Sequence, residues 1–183
     1  MDKNAVVKKA FELGFDYEKQ YRGCSQCAIA AIQDALGTRN DFVFKAGSGL
    51  ATGGGLLRVG LCGGYSGGVM VMSSYFGRVR TKFDDDREDK YCSFNMAVAL
   101  YERYMGKYGS VICMDIHNKI FGRSFDLWNS EEKEAFEEAG AHTDKCTTVV
   151  ADASAWAAEL ILDELERRGL SLHDFEYLQH IMK

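Results

Sequence analysis

Six cysteines, Cys24, Cys27, Cys62, Cys92, Cys113 and Cys146, carry most of the chemistry this 183-residue chain can offer. Cys24 and Cys27 form a C-x-x-C where a helix begins. The dipole and free N–H groups of a helix start stabilise a thiolate, which predicts a lowered pKa for Cys24 and suits either a redox dithiol or a soft-metal ligand. A dithiol would use Cys24 with Cys27, or Cys24 with Cys62. A thioredoxin-like setting explains the motif poorly, because no apolar strand precedes it and the chain contains no proline at all. Cys27 also falls on the apolar Ala28–Ile32 face, where a cysteine serves equally as a small buried hydrophobe. Cys62 stands inside Gly60-Leu61-Cys62-Gly63-Gly64-Tyr65-Ser66-Gly67-Gly68. Gly63 and Gly64 let backbone approach closely and free N–H groups to point at sulfur or a bound anion. Gly60, Gly64 and Gly68 recur every four residues, which is also the spacing of a small-residue groove for tight helix packing. Cys113 and Cys146 each have a histidine four residues away, His117 and His142. Such pairs share a helix face, so a Cys₂His₂ zinc site is a further alternative. Cys92 has no partner signal, and His173 and His180 read as solvated.

These side chains need a scaffold, and the pattern around them is helical. Apolar residues at helical spacing predict a helix over Asn4–Tyr21, through Val6, Val7, Ala10, Phe11, Phe15 and Tyr17. A second helix runs from Cys24 to Leu36 and stops at Gly37. A short one follows over Asp41–Ala46. Gly47–Gly77 holds 11 of the 19 glycines, and Val69–Phe76 at its end is compatible with helix or strand. Thr81–Lys90 reads as a charged loop. Asp89–Tyr108 reads as helix, with Phe94, Val98, Tyr101 and Met105 on one stripe. Shorter helices are expected over Cys113–Phe121 and Ser130–Ala139, the latter opening on Ser130 with an acidic first turn. Thr143–Arg168 is the longest apolar-striped helix, and Ser171–Met182 a last short one. No linker or repeat divides the chain, so the expectation is one mainly α domain over residues 1–183, a helical bundle with a glycine-rich central segment.

The net charge of −5 and pI near 5.4 argue against nucleic acid as a partner. No stretch approaches the roughly 18 apolar residues of a membrane span, and the polar start Met1–Ala10 is not followed by the apolar core of a signal peptide. The reading is a soluble cytoplasmic protein. In that reducing setting cysteines are more often metal-binding or catalytic than disulfide-bonded. Gly47-Ser48-Gly49-Leu50-Ala51-Thr52-Gly53 lacks the frame of a nucleotide loop, and Asp84-Asp85-Asp86 lacks EF-hand spacing.

Three segments resemble the C-GCAxxG-C-C family of redox-active proteins, which carry four characteristic cysteines and a Cys-Gly-Ala-x-x-Gly motif. They are Gly23-Cys24-Ser25-Gln26; Gly53-Gly54-Gly55 followed by Cys62-Gly63-Gly64-Tyr65-Ser66-Gly67; and Gly109-Ser110-Val111-Ile112-Cys113, with Cys146 opening the long helix. The resemblance spans about residues 20–165 and implies that Cys24, Cys62, Cys113 and Cys146 are the functional set. Gly64 replaces the motif alanine, a small-for-small change expected to matter little. The family is similar in turn to a domain of split-Soret cytochromes, in which a helical four-cysteine module is associated with an iron–sulfur centre. The resemblance thus implies an electron-transfer protein holding a [2Fe–2S] or [4Fe–4S] cluster on those four thiolates, with glycine N–H groups around Cys62 raising its potential. A thiol–disulfide oxidoreductase built on Cys24, Cys27 and Cys62 is the alternative, and a structural zinc module a second. The redox partner is unspecified, and the apolar, glycine-rich middle is a candidate contact for a homodimer.

Overall fold

A computed structural model describes residues 2–84, 88–171 and 174. Helices α1 (Lys3–Tyr21), α2 (Cys24–Leu36), α3 (Asp41–Ala46), α4 (Gly63–Phe76), α5 (Glu88–Tyr108), α6 (Cys113–Phe121), α7 (Ser130–Glu138) and α8 (Cys146–Arg167) follow one another in chain order. Among the described residues the only β pairing is an isolated antiparallel bridge between Leu61 and Ile112. The bundle is therefore mainly α, and Val69–Phe76 resolves as helix. The segment expected to form a last helix, Ser171–Met182, lies largely outside the described residues, as do His173 and His180. No helix among the described residues is long and apolar enough to cross a membrane.

Helix ends follow local chemistry. Asp2 caps α1 by accepting from the Asn4 N–H at 3.1 Å, and Asn40 caps α3 through Phe42 and Val43. The cap of α7 is Asn129, not Ser130: its side-chain oxygen accepts from the Glu132 N–H at 3.1 Å. Gly37 and Gly122 close α2 and α6 with left-handed φ of 72° and 79°. The long C-terminal helix begins at Cys146, three residues later than its periodicity suggests, because Ala141–Lys145 forms a π turn with His142 off helical geometry.

The long helix α8 packs against α1, α2, α4 and α5, and α4 lies between α2 and α5. Ile29, Ile32, Met72, Phe76, Leu100, Tyr104, Ile161 and Leu165 fill the core. Close approach to α4 depends on two glycine pairs one turn apart. A Cβ on Gly63 or Gly67 would meet α2, at 2.3 Å from Cys24 Sγ and 2.5 Å from Ser25 O. One on Gly64 or Gly68 would meet α5 and α8, at 2.9 Å from the Tyr104 hydroxyl and 3.0 Å from Leu100. The glycine groove is thus real, but it is two-sided, and Gly60 lies before the helix rather than in it.

Helix α5 buries a different stripe from the one most evident in the sequence. Its buried residues are Met96, Leu100, Tyr104 and Tyr108, whereas Phe94, Val98, Tyr101 and Met105, the stripe that a single amphipathic face would turn inward, are exposed. Two apolar stripes coexist on this helix, and periodicity alone does not say which one the core takes.

Candidate functional site

Each cysteine of the set Cys24, Cys62, Cys113 and Cys146 stands at a helix start. Cys24 opens α2 behind Gly23, Cys62 caps α4, Cys113 opens α6 and Cys146 opens α8. Backbone pairing sets two of them side by side. The Cys62 N–H donates to Val111 O at 2.8 Å, the Cys113 N–H to Gly60 O at 3.0 Å and the Met114 N–H to Arg58 O at 2.9 Å. Cys24 reaches this pair through the space a side chain on Gly63 would occupy. All four line a single cavity of about 190 Å³. Leu56, Ile116, Leu127, Phe136 and Val149 supply its apolar wall, and Glu18, His117 and His142 its polar groups.

Donors surround the sulfurs. The Thr52 N–H reaches Cys24 Sγ at 3.3 Å. The Tyr104 hydroxyl donates to Cys62 Sγ at 3.7 Å, and the N–H groups of Tyr65 and Gly64 reach the same sulfur. The Gly64 N–H thus points at sulfur, while Gly63 makes room for Cys24. Gly64 is also less neutral than a small-for-small exchange suggests, because an alanine there would press on the hydroxyl that Tyr104 holds against Cys62. His117 Nε2 lies 3.6 Å from Cys113 Sγ.

Burial pushes all four thiols up. Glu18 and the neighbouring sulfurs add to the rise at Cys24 and Cys146. This reverses the lowered pKa expected of Cys24 from its helix start: loss of water outweighs the dipole. Four such groups share one cavity and stay neutral thiols unless cationic charge sits among them.

Cys27 stands outside the cavity lining, its Sγ 3.1 Å from Arg22 O. Cys92 lies apart, between Arg168 at 3.3 Å and Glu164 at 3.2 Å. All six cysteines are free. Among the described residues no three His, Cys, Asp or Glu side chains come close enough to hold one metal ion. Of the two histidines paired with cysteines in the sequence, His117 lies beside Cys113, whereas His142 faces carboxylates: Nδ1 lies 2.8 Å from Glu137 Oε2, and Nε2 lies 3.6 Å from Glu18 Oε1.

Glu18, His142 and Glu137 form a polar track that sequence reasoning missed. Glu18 is 3 % exposed, and its Oε2 has no hydrogen-bond partner among the described residues. Glu137 reaches the surface, where Arg22 pairs with it at 3.2 Å. Burial opposes a charge on His142, but Glu18 and Glu137 outweigh it and raise the pKa. His117 lacks such partners: burial, then Arg58, lowers its pKa to about 4, and its Nδ1 has no hydrogen-bond partner among the described residues. One signal for Glu18 was legible: it continues the buried i, i+4 row Val6, Ala10, Gly14 of α1.

A family model described as "putative redox-active protein (C_GCAxxG_C_C)" matches residues 23–160. No curated protein and no solved structure matches the chain.

Proposed function

We propose that this chain, which belongs to the C_GCAxxG_C_C family of redox-active proteins, holds an iron–sulfur cluster on Cys24, Cys62, Cys113 and Cys146 and serves in electron transfer. The carrying observation is that four cysteines from four separate helix starts line one cavity. The donor set fits the group. Thiolates are the usual ligands of such clusters, and the sulfurs share a cavity without meeting around a single-ion position. A bound cluster would supply one-electron redox chemistry.

The chain's own groups support that role. The N–H groups that open α4 reach the Cys62 sulfur, which favours negative charge there. The Thr52, Gly64 and Tyr65 N–H groups and the Tyr104 hydroxyl donate to sulfur. Such bonds stabilise the more negative state and raise the reduction potential. Leu56, Leu127 and Phe136 add apolar surface to the lining.

A second reading rests on one contact. Cys24 Sγ lies against Gly63, immediately beside Cys62, so these two thiols are the pair for a thiol–disulfide oxidoreductase. They would form one S–S bond and pass two electrons and two protons to an oxidised disulfide acceptor. Cys27, facing Arg22 O, is the poorer partner. Anaerobic purification followed by iron, acid-labile sulfide and visible absorption measurements separates the readings. The cluster reading expects a brown protein that loses colour on Cys→Ala substitution at 24, 62, 113 or 146 and keeps it at 27 or 92. A colourless protein that takes up no iron on reconstitution, and whose free thiols fall by two on mild oxidation, supports the dithiol instead.

A further inference from the structure

The outer stripe of α5 has no role in the cavity and, among the described residues, no helix packed over it. Tyr91, Phe94, Val98, Tyr101 and Met105 are 38–54 % exposed. Their spacing is 3, 4, 3, 4, the apolar repeat with which one helix packs along another in a left-handed pair. The same helix buries Met96, Leu100, Tyr104 and Tyr108 on its inner side. A helix apolar on both sides is ordinarily covered on both sides.

We propose that a second copy of this chain covers the stripe, so that the protein is a two-fold dimer joined along α5. The five side chains leave roughly 400–500 Å² of exposed apolar surface per copy, at the upper end of what a monomer carries. Pairing two copies buries at most about 800–1,000 Å² of it, and the polar rim brings the total toward the ~1,200 Å² where stable interfaces begin. The stripe runs for 14 residue steps, about 21 Å at the helical rise, enough for four turns of contact. A matching seam of this length is present on every other copy, and a self-complementary patch closes as a dimer rather than a fibre. A membrane surface is the weaker occupant. The opposite face of α5 lies in the core, the stripe is flanked by Asn95 and Glu102 on one side and by Lys90, over the Tyr91 ring, on the other, and the net charge is −5. A transient electron partner on this stripe would meet no residue that lines the cavity, since Tyr104, the α5 side chain that reaches a sulfur, projects from the inner side of the helix. This contact differs from the glycine-rich middle considered from sequence, whose glycines are taken up by packing within one chain.

The test is the mass of the full chain in solution by sedimentation and light scattering between 2 and 200 µM. Wild type is expected at twice the 20.4 kDa chain mass. Phe94→Glu and Val98→Glu should each weaken association about 30-fold or more, with unchanged helical circular dichroism. Trp128→Glu, on another exposed surface, should leave it intact. Should a glutamate variant fail to fold, amide exchange of wild type decides: residues 91–105 should become more protected as concentration rises. Wild type that is monomeric throughout, a dimer unaffected by both variants, or a monomer that binds anionic phosphatidylserine vesicles through this stripe each overturns the proposal. None of these outcomes depends on whether the cavity holds iron.

Discussion

Gly67→Ala isolates the packing requirement behind the Cys-Gly-x-x-x-Gly spacing. A Cβ at this position would lie 2.5 Å from Ser25 O and 3.1 Å from Ala28 Cβ, whereas ordinary contact begins near 3.4 Å. The first obstacle is helix backbone, which cannot rotate away, so α2 and α4 must separate by about 0.9 Å locally. Overpacking of this kind costs about 1–3 kcal/mol, and a backbone obstacle places it at the upper end. Alanine returns about 1 kcal/mol of helix propensity, leaving a net loss of about 2 kcal/mol. With a urea m-value of about 2 kcal/mol/M, the unfolding midpoint should fall by about 1 M. Gly106→Ala provides the reference, because Gly106 is helical and a Cβ there meets nothing within 4 Å. It should gain up to about 1 kcal/mol and raise the midpoint by about 0.5 M. The same shift of α2 carries Cys24 away from Cys62, so Gly67→Ala should also lower iron content on reconstitution. A Gly67→Ala midpoint equal to or above wild type would refute the argument that these two helices meet through this glycine.

Two further outcomes concern the polar surroundings of the cavity. His142 has a raised pKa in the folded chain, so the native state binds more protons than the unfolded state above the ordinary value of 6.5. Its contribution to stability is complete below pH 6.5 and is lost as pH rises through the raised value. Urea unfolding of metal-free protein between pH 5.5 and 8 should therefore show wild type losing stability with rising pH and His142→Gln losing less; equal slopes would show that Glu18 and Glu137 do not hold the imidazolium. Tyr104→Phe removes the hydroxyl that donates to Cys62 Sγ while keeping the ring against Tyr65 and Trp156. In iron-loaded protein it should retain iron and lower the midpoint potential, measured by redox titration; an unchanged or higher potential would remove Tyr104 from the electrostatics of the site.

Much of the helical framework was legible because its boundaries are set by local chemistry. The limits of α2, α3 and α6 coincide with those read from sequence, since Gly37 and Gly122 take left-handed φ and Asn40 supplies a cap. Two features are decided by tertiary contacts. On α5 a choice between two apolar stripes is made by Gly64 and Gly68 of α4, which admit Tyr104 and Leu100 and not the outer set. At the start of α8, the π turn that carries His142 toward Glu18 and Glu137 has no local signature. The four cysteine positions were legible from helix starts and family resemblance together. Their donors were not: Thr52 takes a left-handed φ of 51° without being glycine, and only the folded loop brings its N–H to Cys24. The lowered pKa expected of Cys24 failed because a dipole can be read from a helix start, whereas the depth of burial cannot.

The glycine motif then has a physical derivation. Cys62 must sit at a helix start to expose its sulfur to the Gly64 and Tyr65 N–H groups. The next residue faces α2, and any side chain there would occupy the place of Cys24 Sγ, so position 63 must be glycine. One turn later the same face meets α2 again at Ser25 and Ala28, so position 67 must be glycine as well. The spacing is therefore the helical period applied twice to one contact, once where the contact is a sulfur and once where it is backbone. Each of these glycines sets how closely α4 approaches α2, and with it how far apart Cys24 and Cys62 stand. Position 64 faces the other way, toward Tyr104, Val150 and Ala153. There a Cβ would lie 2.9 Å from the Tyr104 hydroxyl and 3.1 Å from Ala153 Cβ, against 2.3 and 2.5 Å for the contacts at 63 and 67, so an alanine demands a smaller adjustment. Tolerance of a second small residue at 64, alongside intolerance at 63 and 67, is what the two-sided packing of α4 requires.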